Sequence, residues 1–142
     1  MTFCMTSRGE MKSNALTYAE ETIPGIPNIS LELQEKIRSR KAKVGIVGLG
    51  YVGLPLAAEF ARQGFRVTGI DLETRKIDQI NCGKSYIGDV PSEEIARLVE
   101  QGLLRASSNY NVLAELDTIN ICVPTPLRKT KDPDLSYILA AV

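Results

Sequence analysis

Between residues 43 and 123 the apolar positions follow two alternating rhythms. Short runs rich in apolar residues at 43–47, 65–70, 103–107 and 118–123 read as strands. Between them, apolar residues recur at helical spacing: Val52, Leu56 and Phe60; Ile77 and Ile80; Ile95, Leu98 and Val99. Gly64, Gly83 and Gly102 stand where these three helices are expected to end. Pro55 falls near the first turn of its helix, where a missing N–H has little consequence. Pro91-Ser92-Glu93-Glu94 opens the third helix with acids at its positive dipole end. Val112, Leu113 and Leu116 mark one side of a further short helix, and Pro124 and Pro126 stop the last strand. Strands alternating with helices imply right-handed parallel crossovers. The expected fold is therefore α/β, a doubly wound parallel sheet that binds ligands beyond the carboxyl ends of its strands.

The flanks are less regular. Residues 1–28 show no periodicity and end in Ile23-Pro24-Gly25-Ile26-Pro27-Asn28, too proline-rich for a regular element. Residues 1–41 are expected to form an extension, partly disordered, with a short helix at 30–40. In that helix Ser30 caps a segment from 31 to 40 whose Leu33 and Ile37 share one face. Residues 132–142 begin a helix that no glycine, basic last turn or proline closes, so the 42–142 domain is expected to be incomplete at its C-terminal side. Asp132 and Asp134 read as turn and helix-start residues.

Composition narrows the chemistry. The 142 residues amount to one domain, and the formal net charge of zero gives no reason to expect a nucleic-acid or membrane surface. The basic run Arg38–Lys43 reads as solvation of the approach to the first strand. Absence of histidine excludes a His-based triad, and three widely spaced cysteines make neither a zinc site nor a disulfide framework. Cys82 and Cys122 are expected to be buried small hydrophobes. No apolar run approaches a membrane span, and no leader peptide is recognisable, so a cytoplasmic location is expected.

The chemistry concentrates where the first strand ends. Gly48-Leu49-Gly50-Tyr51-Val52-Gly53 is a Gly-x-Gly-x-x-Gly turn placed between strand and helix, with Asp71 at the end of the second strand. Gly48 permits the tight turn, Gly50 a close approach of the main chain to a pyrophosphate, and Gly53 the packing of helix on strand. The helix N-terminus offers N–H groups to the phosphates. Asp71 would accept hydrogen bonds from the adenosine ribose, and its carboxylate repels a 2′-phosphate, which favours NAD over NADP. Val123, Pro124 and Thr125 follow the last strand and are expected on the same rim. Tyr86, an aromatic in a loop, is expected to pack.

Together these stretches resemble the N-terminal part of the UDP-glucose/GDP-mannose dehydrogenase family. The resemblance rests on Gly48–Ala57, Gly69-Ile70-Asp71, Gly83-Lys84-Ser85-Tyr86-Ile87, Cys122-Val123-Pro124-Thr125-Pro126-Leu127 and Asp132–Tyr137. It runs from about residue 42 to the end, and is strongest toward the branch acting on UDP-N-acetylhexosamines. It implies a Rossmann-type NAD domain, with Gly48, Leu49, Gly50, Tyr51, Val52, Gly53, Asp71, Val123, Pro124 and Thr125 around the cofactor and a basic contact from Arg75 or Lys76. It also implies oxidation of C6 of a nucleotide sugar to a carboxylate by two hydride transfers to NAD, through a cysteine thioester. Members are homo-oligomers whose nucleophile and sugar-nucleotide contacts lie in parts that this sequence does not contain. Cofactor binding without turnover is therefore the expectation. Two other readings stay open: a stand-alone, non-catalytic nucleotide-binding module, and a different NAD-dependent Rossmann dehydrogenase.

Overall fold

The structure, a computed structural model, describes residues 28–126 and 131–141. Four parallel strands form its sheet: β1 (Lys43–Val47), β2 (Arg66–Ile70), β3 (Leu104–Ser107) and β4 (Thr118–Ile121), in the spatial order β3-β2-β1-β4. Gly45 lies opposite Thr68 on β2 and opposite Ile119 on β4, so β1 is paired on both sides. The chain builds outward from β1 through β2 to β3, then returns to pair β4 on the other side of β1. That reversal is the switch point at which open parallel sheets leave a crevice.

Helix α2 (Gly53–Arg62) follows β1, and α3 (Thr74–Asn81) and α4 (Ser92–Glu100) follow β2. The stripe that α2 buries is Leu54, Ala57, Ala58 and Ala61, not the Val52, Leu56 and Phe60 spacing expected from the sequence. Three alanines let the helix axis come close to the sheet, and the larger residues are displaced to its flank. Val52 is 52% exposed, and Phe60 meets Phe65 edge-on with ring centroids 5.9 Å apart. Ile46, Leu49, Leu54, Ile80, Ile95 and Leu98 form the fully buried centre. Arg62 on α2 donates to Glu94 on α4 over 2.8 Å at the surface.

Several element limits depart from the sequence expectation. Helix α1 spans Ile29–Arg38 and is capped by Asn28, whose Oδ1 accepts from the Leu31 N–H. Ser30 lies inside the helix, and its hydroxyl accepts from Gln34 instead. The helix ends early because Arg40 adopts a positive φ of 59°. No residue of α1 is buried. It is held by Asp117, which accepts from Lys36 Nζ and from the Lys43 N–H, each over 2.8 Å. Residues Tyr110–Glu115 form a 3₁₀ helix, and a last helix, α5, spans Ser136–Ala141. β2 begins one residue later than expected, and β4 stops at Ile121, which puts Cys122 and Val123 in the following loop. Cys82, expected to be buried, is exposed at the C-cap of α3. The expected extension lies outside the described residues up to position 27.

Candidate functional site

The turn leaving β1 is built from both neighbouring strands. Gly48 has φ +92°, a conformation unfavourable to any side chain, and its N–H donates to the Ile70 carbonyl over 2.7 Å. A Cβ on Gly48 would stand 2.8 Å from the Cys122 carbonyl oxygen. A Cβ on Gly53 would collide with the Gly48 carbonyl, so the first turn of α2 packs on the turn that precedes it. A Cβ on Gly50 would meet nothing within 4 Å. Gly48 and Gly53 are therefore demanded by the protein's own packing, whereas Gly50 leaves an open cradle. Between them Leu49 turns inward and is fully buried, filling the space that Gly69 leaves on β2.

Asp71 fastens this turn to the end of β2. Its Oδ2 accepts from the Leu49 N–H over 2.7 Å and its Oδ1 from the Glu73 N–H over 2.9 Å. Lys76, one turn into α3, lies 3.0 Å from Glu73 and 3.6 Å from Asp71. Burial pulls its ammonium pKa down, but the hydrogen bond to Glu73 and the two carboxylate charges outweigh burial, so the group is held above the ordinary lysine value.

The next peptide, Leu49–Gly50, is held by Tyr86, whose hydroxyl donates to the Leu49 carbonyl over 2.6 Å. Its ring packs against the core as expected, so the hydrogen bond is an addition to the packing role. Burial, followed by the negative charges of Asp71 and Glu73, raises the Tyr86 pKa and keeps the hydroxyl protonated as a donor.

Beyond the carboxyl ends of β1, β2 and β4 lies a cleft of about 660 Å³. Gly48, Gly50, Tyr51, Val52, Asp71, Lys76, Val123, Pro124 and Thr125 all line it. The structure thus brings nine of the sequence-derived positions to one surface. Leu49 and Gly53 stand beneath that surface, supporting the turn through backbone and packing. Arg75 is exposed on α3 and does not line the cleft. Sequence reasoning missed Leu72, Tyr110 and Tyr137 on the lining. Leu72 follows Asp71 directly and was readable from that adjacency. Tyr110 and Tyr137 arrive from a 3₁₀ turn and from α5, which carry no cofactor motif. Cys122 also borders the cleft, and burial raises its thiol pKa, which disfavours the nucleophilic thiolate. Among the described residues no cluster of cysteine, aspartate or glutamate is arranged to hold a metal ion.

The arrangement suits a dinucleotide: a glycine cradle with open space, a helix N-terminus facing it, and a carboxylate at the neighbouring strand end. Residues 42–142 match the family described as the UDP-glucose/GDP-mannose dehydrogenase family, NAD binding domain. The chain belongs to that family. Its matched region is the NAD domain, and NAD is the cofactor it takes.

Relatives within this dehydrogenase family include the UDP-N-acetyl-D-mannosamine dehydrogenase of Salmonella typhi, 38% identical over 99 residues, covering 69% of this chain and 23% of that protein. The NDP-N-acetyl-D-galactosaminuronic acid dehydrogenase of Ralstonia nicotianae is 40% identical over 99 residues, with the same coverage. Among solved structures, the ternary complex of GDP-mannose dehydrogenase from Pseudomonas aeruginosa aligns with a TM-score of 0.65 at 35% identity, over 69% of this chain and 23% of that one. The UDP-glucose dehydrogenase of Pyrobaculum islandicum aligns with a TM-score of 0.66 at 32% identity, over 70% of this chain and 24% of that one. The chain thus spans about a quarter of the length of these dehydrogenases.

Proposed function

We propose that this chain is the cofactor-binding part of an NAD-dependent nucleotide-sugar 6-dehydrogenase, with a UDP-N-acetylhexosamine as the sugar nucleotide. The reaction oxidises the C6 hydroxyl to a carboxylate, in the cytoplasm, and supplies an acidic sugar nucleotide for polysaccharide biosynthesis. The observation that carries the cofactor reading is the Gly50 cradle, an open space at a glycine that the fold itself does not require. The sugar class rests on the relatives that act on UDP-N-acetyl-D-mannosamine and on the Ser85-Tyr86-Ile87 and Asp132–Tyr137 stretches.

In this reading the N–H groups at Gly50 and the start of α2 hold the pyrophosphate, and Asp71 receives the adenosine ribose hydroxyls. Lys76 neutralises part of the acidic pair beside it. Val123, Pro124 and Thr125 form a proline-stiffened wall that limits where the nicotinamide end sits. Bound NAD supplies a hydride acceptor. Neither described cysteine is proposed as a nucleophile: Cys82 is exposed at the C-cap of α3, outside the cleft lining, and burial disfavours the Cys122 thiolate. In this reading the 142-residue chain by itself binds NAD without turnover, and the full-length enzyme is a homo-oligomer.

Calorimetric titration with NAD and NADP tests the cofactor assignment. NAD should bind more tightly, and Asp71→Asn should weaken it about tenfold or more while narrowing the preference. Tighter NADP binding by the unsubstituted chain would sink the Asp71 assignment. Formation of reduced cofactor from NAD and a UDP-N-acetylhexosamine by this chain would overturn the no-turnover reading.

A further inference from the structure

The peptide joining Leu49 to Gly50 is gripped on its carbonyl side by a residue outside the glycine motif. The Leu49 N–H belongs to Asp71 (2.7 Å) and the Leu49 carbonyl to the Tyr86 hydroxyl (2.6 Å). The peptide is trans and planar, so the Leu49 carbonyl and the Gly50 N–H point in opposite directions. Fixing the carbonyl on Tyr86 therefore fixes the direction of the Gly50 N–H, and Gly50 lines the cleft. Among the described residues, no protein acceptor takes that N–H.

Tyr86 is itself held in place. The Ser85 N–H donates to Ser92 Oγ at the start of α4 over 3.0 Å, and the Ser85 hydroxyl bridges the Ile87 carbonyl (3.0 Å) and N–H (3.1 Å). The loop is thus anchored to α4 and closed on itself around Tyr86. The ring packs against the core, which leaves the hydroxyl little choice of partner.

We infer that Tyr86 is a positioning residue for cofactor binding, presetting the Gly50 N–H toward the pyrophosphate of NAD through its bond to the Leu49 carbonyl. This rests on the cofactor reading of the cleft given above. A hydroxyl that presets a donor lowers the ordering cost that phosphate binding would otherwise carry. It acts on the phosphate-bearing portion of the ligand and leaves contacts to the adenosine end alone.

The test compares the full 142-residue chain with Tyr86→Phe, which keeps the ring and removes only the hydroxyl. NAD and ADP-ribose binding are measured by calorimetry, and adenosine binding by NMR shift perturbation. The expected result is about 3- to 10-fold weaker binding of NAD and of ADP-ribose, the loss of one hydrogen bond's worth, with adenosine unchanged. The Gly50 amide resonance should move in the free variant and shift less on NAD addition. Equal NAD affinity in the variant overturns the inference, and so does equal weakening of all three ligands, which would mark a packing role alone. If the unsubstituted chain binds no NAD, the cofactor reading and this inference fall together. That outcome is read on the parent chain and is distinct from a failure of Tyr86.

Discussion

An alanine at Gly53 would drive its methyl group into the Gly48 carbonyl, whereas an alanine at Gly50 would meet nothing within 4 Å. The two substitutions should therefore separate folding from binding. Gly53→Ala is expected to cost about 3 kcal/mol or more, because both colliding groups are backbone. Gly50→Ala should leave stability within about 0.5 kcal/mol, yet reduce NAD affinity about tenfold or more by filling the space proposed for the phosphates. Thermal unfolding and NAD titration of the pair check this, and a destabilised, NAD-binding Gly50→Ala would reverse the assignment. At this scale the sequence was informative about residue types and silent about partners. The glycine spacing located the turn, but Tyr86 looked like any loop aromatic, because its partner is a backbone carbonyl 37 positions away. Cys82 was misjudged for a related reason: cysteine in general is buried, but this one caps an exposed helix end.

Helix α1 shows how weakly an element can be attached. None of its residues is buried, and its Lys36 bonds to Asp117, which also accepts from the Lys43 N–H at the start of β1. The Lys36 bond, then the Lys43 N–H, hold the Asp117 carboxyl below its usual range, so it stabilises the fold above the ordinary carboxylate pKa of about 3.9. That contribution fades as pH falls through the lowered value. The bonds to Asp117 and Glu32 raise Lys36, whose contribution is complete below the ordinary lysine pKa and fades only as pH rises through the raised one. Asp117→Asn should lower the unfolding temperature by a few degrees at neutral pH, and the gap should close as the pH drops below about 4. A constant gap across that range would mean that the charge is irrelevant. The existence of α1 was legible from its apolar spacing, whereas its start was not, because Asn28 and Ser30 are both good caps and only the backbone decides between them. For α2, helical spacing alone could not say which of two apolar stripes faces the sheet. Close packing chose the one rich in alanine.

At the scale of the molecule, strand-helix alternation was enough to anticipate the parallel sheet and the rim on which the loops meet. It could not show that β4 would be the least buried strand, since strand order depends on pairing between distant segments. Thr118–Ile121 alternates between partly buried and exposed residues, with Ile119 48% and Ile121 42% exposed. β1 and β2, by contrast, bury four of five positions each.

The return of β4 across the sheet bears on the order of assembly. β1, α2 and β2 are contiguous in sequence, and β3 follows after α3 and α4, so these parts can collapse with short loop closures. β4 must find β1 across a gap of 74 residues, as the Lys43 to Asp117 bond records, and it gains little burial on arrival. It should dock last and undock first. Since the loop from Cys122 to Pro126 follows directly from it, one wall of the cleft exists only while β4 is in place. Amide exchange should then find β4 opening at lower free energy than β1 and β2, with NAD slowing β4 most of all. Uniform protection of the three strands, with or without NAD, would refute this order. In kinetic terms the proposed cofactor contacts would make a late clasp, closing the strand that burial among the described residues leaves most loosely held.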